Sequence, residues 1–193
     1  MTPERQLVAG QLVVATPQLG DPNFAKTVVL LLRADPDDGA LGLVLNRPTG
    51  TDVAEVLPQW ADLAATPPAV FRGGPVQPAA AICLGRGRPG GTAVSSFARL
   101  EGLPDGSLGT VDLDSPPHEL QAAVSEVRLF AGYAGWAAGQ LESEVDEGAW
   151  WVLDALPADA FAVQPELLWK QVLLRQGPPI AFAANYPADP SLN

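Results

Sequence analysis

The chain has one cysteine and one histidine in 193 residues. With Cys83 alone, no intrachain disulfide can form and no cysteine-rich zinc site can be built. The histidine, His118, lies in the proline-flanked "SPPHEL" near a helix start. A catalytic triad built on it would need distant partners, and it reads as a surface residue. Long apolar runs are missing too: no window reaches the roughly 18 residues that a membrane span requires. The opening "MTPERQLVAGQLVV" lacks a basic n-region, an apolar core and a small-residue cleavage site. A reduced, cytoplasmic setting is the expectation.

Basic residues are also scarce. Eleven Lys and Arg stand against 22 Asp and Glu, for a net charge of −11. That sign repels phosphate backbones, whose binding rests on neutralisation by Lys and Arg, so nucleic acid is not an expected partner. The charge is unevenly spread. Residues 63–100 carry Arg72, Arg86, Arg88 and Arg99 and no acid, whereas 101–160 carry twelve acids and one base, Arg128. The two segments either neutralise each other or leave an anion-binding surface within 63–100.

What remains is a globular composition, 47% hydrophobic and 17% charged, expected as one domain over 1–193 with a frayed tail from about 186. "GQLVVAT" (10–16) and "TVVLLLR" (27–33) read as strands. "ADPDDG" is a turn, and "ALGLVLNRP" (40–48) returns as a hairpin partner with Leu41, Leu43 and Leu45 on one face. Pro48 ends that strand. "DVAEVLPQWADLAATPP" predicts two short helical pieces divided at Pro58. "AVFRGGPV" and "AAAICLGR" follow as strands, and "LPDG" (103–106) as a turn. A short helix after "DSPP", a strand over 127–133, a helix through "GWAAGQLESEVDEG" and a strand over 149–155 come next. Pro165, Glu166, Arg175 and Gly177 mark the start and stop of a last helix. Strands outnumber helices and their connections are short, which makes the class α+β with antiparallel pairing.

Few motifs carry chemistry. "GRGRPG" (85–90) fits the dinucleotide glycine pattern, but Pro89 and the following glycines prolong a loop where a helix is required. "GYAGW" has Ala134 where a nucleophile elbow needs Ser or Cys. The acids of "LESEVDEG" miss the register of a calcium loop, and no metal site is assigned. They are expected to be solvated or to meet Arg47 or Arg72. "FRGGPV" could present backbone N–H groups and Arg72 to an anion, or be a tight turn that needs its glycines for positive φ.

In order along the chain, "GQLVVATPQLGDPNFAKTVVLLL", "DGALGLVLNRP", "FRGGPV", "LFAGYAGWAAGQLESE" and "AWWVLDA" resemble the YqgE/AlgH family of small bacterial cytosolic proteins, over about residues 7–183. The resemblance implies a single α+β domain with coiled, largely antiparallel sheets and peripheral helices. Some members of that family are labelled transcriptional regulators by genetic association. It implies no catalytic residue and no cofactor, and none is assigned. The chain departs from the family pattern in having Arg33 and Ala34 where an acid followed by His is common, and no histidine after "ICLGR". The glycines of "GYAGW" are expected to turn a strand into a close-packed helix, with Trp136 over the junction. Trp150 and Trp151 are expected to point to opposite faces of the next strand.

Three functions follow in order of expectation. The first is a non-enzymatic binding or regulatory protein that acts through a protein partner or a small anionic ligand, its contacts drawn from Asn46, Arg47, Arg72, Gly73, Gly74, Gln140, Glu142 and Glu144. The second is a DNA-binding regulator, disfavoured by charge and by a last helix whose only bases are Lys170 and Arg175. The third is an enzyme using Glu142 or Glu144 as base with Arg72 holding an anion. Oligomeric state is left open.

Overall fold

Apolar runs such as "VVLLL" have no polar alternation because both faces of their strands are covered. The computed structural model describes residues 6–103 and 107–185. In it β1 (Gln11–Ala15), β2 (Val28–Asp35) and β3 (Gly39–Val44) form an antiparallel meander. Leu12, Val14, Val28, Leu30 and Leu43 face one core, and Val13, Ala15, Val29, Leu31 and Val44 face another. A strand buried on both faces reads as a continuous hydrophobic segment. The expected Leu41–Leu43–Leu45 face is broken at its start, because a register shift between Leu31 and Arg33 intervenes and Leu41 is only half-buried.

The chain continues through β4 (Pro48–Asp52), which Pro48 opens rather than ending its predecessor, and the single turn α1 (Val53–Val56). The Asp52 side chain caps α1 by accepting from the Ala54 N–H at 2.8 Å. A 3-10 turn over Pro58–Leu63 follows, so the expected pair of helical pieces divided at Pro58 is present. Next come β5 (Ala69–Arg72), β6 (Val76–Gly87), β7 (Phe97–Arg99), β8 (Leu108–Val111) and the short α2 (Pro117–Leu120), then β9 (Val124–Trp136). The chain closes with α3 (Gln140–Asp146), β10 (Trp150–Asp154) and α4 (Leu168–Leu174). The turn expected at "LPDG" and the tail expected after 186 fall mainly or wholly outside the described residues.

These strands form one curled sheet in the order β10-β1-β2-β3-β9-β6-β8-β7, with β5 beside β9 and β4 beside β5. Pairing is antiparallel except between β5 and β9, where Phe71 meets Phe130 and Arg72 meets Ala131 in parallel. The result is a single α+β domain with few helices. Directly after "GRGRPG", at the end of β6, the chain runs into a loop, so the pattern lacks the helix that the dinucleotide motif requires.

The segment around "RLFAGYAGW" is one strand, longer than expected, and its glycine acts within it. Before Gly132, Phe130 and Arg128 point toward the core that Phe71 and Phe161 share, while Leu129 and Val127 line a third core with Trp60. After Gly132, Ala134 and Trp136 enter the core around Val13 and Val29. Gly132 adopts φ +70°, and the register of β6 against β9 shifts there, between Val76 and Ala81. A left-handed glycine beside a register slip bends a strand and re-aims its side chains. One strand therefore serves both halves of the curled sheet. The turn into α3 falls later, at Gly139, whose φ is +71°.

Candidate functional site

"LNRP" at the end of β3 holds the preceding β1–β2 connection in place. The Asn46 side chain accepts from the Val28 N–H at 3.0 Å and donates to the Lys26 carbonyl at 2.9 Å. Arg47 Nη2 donates to the Ala25 carbonyl at 2.6 Å. Together they grip a loop in which Lys26 takes a left-handed φ of +55°. Asn46 is buried, and both its amide oxygen and its amide nitrogen are engaged by this task. Arg47 is half-buried and continues outward.

"FRGG" lies between β3 and β9 and extends their ladder. The Arg72 N–H donates to the Arg47 carbonyl at 2.8 Å, the Gly73 N–H to the Ala131 carbonyl at 2.9 Å, and the Gly73 carbonyl accepts from the Val44 N–H at 2.8 Å. Two of the N–H groups that an anion nest would use are thus committed to the sheet. The glycines are needed for close approach: a Cβ on Gly73 would strike the Gly132 carbonyl, and one on Gly74 the Tyr133 carbonyl. The tight turn expected here is therefore a ladder segment pressed against β9, with the Arg72 side chain left exposed.

The Arg47 and Arg72 side chains converge. Arg47, Arg72 and Gly74 line a small cleft of about 70 Å³ with Pro22, Asn23, Val44 and Pro75. Arg72 is exposed, and neither arginine forms an ion pair with an acid among the described residues. Gln140, Glu142 and Glu144 do not line this cleft.

They belong to a separate cluster on α3. Glu144 Oε2 accepts from Trp136 Nε1 at 3.0 Å and from Trp150 Nε1 at 2.8 Å, and Gln140 Nε2 donates to Glu144 Oε1 at 2.9 Å. The two indoles meet edge to face at 5.9 Å, and Phe24 packs on both. A carboxylate that bridges two buried indole N–H groups satisfies donors that would otherwise be costly to bury. Glu142 is exposed. The acids of α3 therefore do not meet Arg47 or Arg72, and one of them organises an aromatic core. Trp151 emerges on the opposite face of β10 from Trp150, partly buried against the core under α4, as the strand period requires. Neither face leaves a bare aromatic.

Sequence reasoning singled out Arg128 only as an isolated base. In the structure it is 2% exposed and without a carboxylate partner in hydrogen-bond contact among the described residues. Its guanidinium lies 4.4 Å from the centre of the Phe71 ring and 5.8 Å from that of Phe161. Nη1 donates to the Ala162 carbonyl at 3.1 Å and Nη2 to the Thr66 carbonyl at 2.6 Å. Burial draws its pKa down to about 10, with the nearby Glu126 pulling it up and Arg86 pushing it down. Arg86 Nε is 3.0 Å from Glu126 Oε1, one pair in which the basic and acidic segments do neutralise each other. The usable signal was alternation: Arg128 is two residues from Phe130 and shares its inward face. Burial likewise pushes the Cys83 thiol up to about 12. No group of three or more His, Cys, Asp or Glu among the described residues could hold a metal ion.

Fold and cleft together define a small α+β protein with one curled, largely antiparallel sheet and an arginine-lined recess at the junction of β3, β5 and the β1–β2 loop. A family model described as AlgH-like matches residues 12–181, and the chain belongs to that family. A UPF0301 protein of Streptomyces avermitilis is 50% identical over 186 residues, covering 96% of this chain and 95% of that one. A crystal structure of a Corynebacterium diphtheriae protein superposes with a TM-score of 0.87 at 31% identity, over 94% of this chain and 93% of that one. The solution structure of the AlgH protein from Pseudomonas aeruginosa does so with a TM-score of 0.65 at 32% identity, over 93% and 94%.

Proposed function

We propose that this protein is a non-enzymatic binding protein that takes a small anionic ligand in the Arg47–Arg72 cleft and acts in a regulatory role in the cytoplasm. One observation carries the reading. In a chain with twice as many acids as bases, two arginines line the same recess and neither is paired with an acid among the described residues. Guanidinium forks match carboxylate and phosphate oxygens, and such contacts are the stronger hydrogen bonds. The net charge of −11 does not forbid this, because salt screens distant charges beyond about 8 Å while the local pair acts at contact.

The other readings have less support. A protein partner is favoured by exposed Leu167, Leu174 and Phe182 around the terminal helix. Trp60, the other candidate for an apolar patch, is buried. A DNA-binding role loses one of its two helix cations, since Arg175 grips Asp159 at 2.6 and 2.7 Å. A carboxylate enzyme would have to detach Glu144 from three donors or use the exposed Glu142, and neither carboxylate lines the arginines' cleft. No helix among the described residues is long and apolar enough to cross a membrane.

The test is thermal unfolding against phosphate, phosphorylated metabolites, nucleotides and dicarboxylates. A ligand at about a hundredfold over its Kd stabilises the fold by about 2.7 kcal/mol, and Arg72→Ala should abolish that shift. A flat panel would overturn the reading in favour of a protein partner.

A further inference from the structure

We infer that the cleft selects a doubly charged oxyanion, the terminal group of a phosphate monoester, over singly charged anions such as a phosphodiester or a monocarboxylate. This rests on the anion-binding reading of the same cleft and adds the class of ligand. The first argument is charge. Arg47 and Arg72 are the charged side chains that line the recess; the remaining lining residues are Pro22, Asn23, Val44, Gly74 and Pro75. Two cations without an acid between them leave one positive charge unmatched when a monoanion binds. A dianion matches both, and each guanidinium then faces a charged oxygen.

Size is the second argument. A cleft of about 70 Å³ is well below the roughly 300 Å³ or more that encloses an organic ligand. It admits an anionic head and leaves the rest of the molecule outside, which suits a terminal group. A diester has chain on both sides of its phosphorus and would have to pass through the recess. The walls favour a fixed geometry. Arg47 is tethered to the Ala25 carbonyl, two prolines line the opening, and the Gly73–Gly74 backbone is held against β9.

The inference fixes a pH dependence. A phosphate monoester loses its second proton near a pKa of about 6, so it is a dianion above that and a monoanion below. Guanidinium groups keep their charge throughout this range. The other ionisable groups beside the lining residues are Asp21 and Lys26 on the β1–β2 loop, Asp52 at the end of β4, and Tyr133 on β9, whose backbone abuts Gly74. None lines the cleft, and the Asp21 carboxylate accepts from the Asn23 N–H at 2.8 Å. Binding of the monoester should therefore weaken as pH falls through about 6, with the change belonging to the ligand.

The experiment is isothermal titration of the full chain with methyl phosphate, dimethyl phosphate, sulfate and acetate at about pH 8 and about pH 5. Methyl phosphate and sulfate should bind at least about tenfold more tightly than dimethyl phosphate and acetate at the higher pH, the difference one charge-assisted hydrogen bond makes. At the lower pH methyl phosphate should fall toward the diester while sulfate holds. Arg72→Gln should remove the dianion preference and leave the unfolding midpoint of the ligand-free protein unchanged. Equal binding of mono- and diester, still sensitive to Arg72→Gln, would overturn the charge selection and leave an anion site standing. Absence of binding by all four anions, or binding indifferent to Arg72→Gln, would overturn both.

Discussion

Replacing Arg128 by lysine keeps the charge and most of the stem, so it tests whether geometry or charge holds that position. The planar guanidinium spans the Thr66 and Ala162 carbonyls while lying over the Phe71 ring. Each carbonyl is served by a different guanidinium nitrogen, and a lysine, with a single nitrogen at its tip, is expected to keep one of the two bonds. The loss comprises one charge-assisted hydrogen bond, about 1.5–3 kcal/mol, and one buried carbonyl left without a donor, about 1–3 kcal/mol. Weaker stacking on Phe71 adds on the order of 1 kcal/mol, and the more strongly hydrated ammonium is harder to bury. Local relaxation recovers part of this, and the expected cost is about 3 kcal/mol. For a domain of this size that lowers Tm by about 6–12 °C. Urea unfolding followed by tryptophan fluorescence should show a lower midpoint with an unchanged slope. Arg128→Met removes both bonds but also the desolvated charge, whose burial alone costs several kcal/mol, so it should cost no more than the lysine variant. A lysine variant within about 0.5 kcal/mol of the parent would refute the argument that the fork ties the 66 and 162 loops to β9.

Glu144→Ala should cost about 2–4 kcal/mol by stranding two indole N–H groups, with a red shift of the Trp136 and Trp150 emission. Glu144→Gln keeps an oxygen that accepts from both indoles, so less than half that loss is expected; equal losses would mean the two bonds contribute little. Gly74→Ala should prevent folding or destabilise by more than about 3 kcal/mol, because its Cβ would fall on the Tyr133 carbonyl. Gly135→Ala is the control: its Cβ would make only ordinary contacts, the nearest at 3.5 Å, and circular dichroism melts should place it within about 1 kcal/mol of the parent. The native Cys83 thiol, its pKa pushed up to about 12 by burial, should resist a thiol reagent at about pH 8 and react only as the chain unfolds, because the thiolate is the nucleophile. Fast labelling of the folded protein would contradict its burial.

Some of this was open to inspection along the chain. Runs such as "VVLLL", turns such as "ADPDDG" and the Pro58 break are local signals. Apolar period, turn chemistry and proline geometry act over a few residues, so local sequence pattern carries strands, hairpin and α+β class. Arg72 is legible as a candidate from its glycine pair and its acid-free segment; that Arg47 lines the same cleft is visible only in the fold. Tertiary structure decided what each of them does. "FRGG" became a ladder segment, parallel to β9, only because β3 and β9 close around it. Glu144 reads in sequence as solvated, paired with an arginine, a ligand contact or a base; β9 and β10 bring two indoles to it instead. Arg128, in sequence only the one base among twelve acids, takes two carbonyls from loops far along the chain. Local pattern specifies which backbone each segment prefers and which face is apolar. Which distant groups share a desolvated space is set by sheet closure, and it is there that the hydrogen-bonding partners of a buried polar group are chosen.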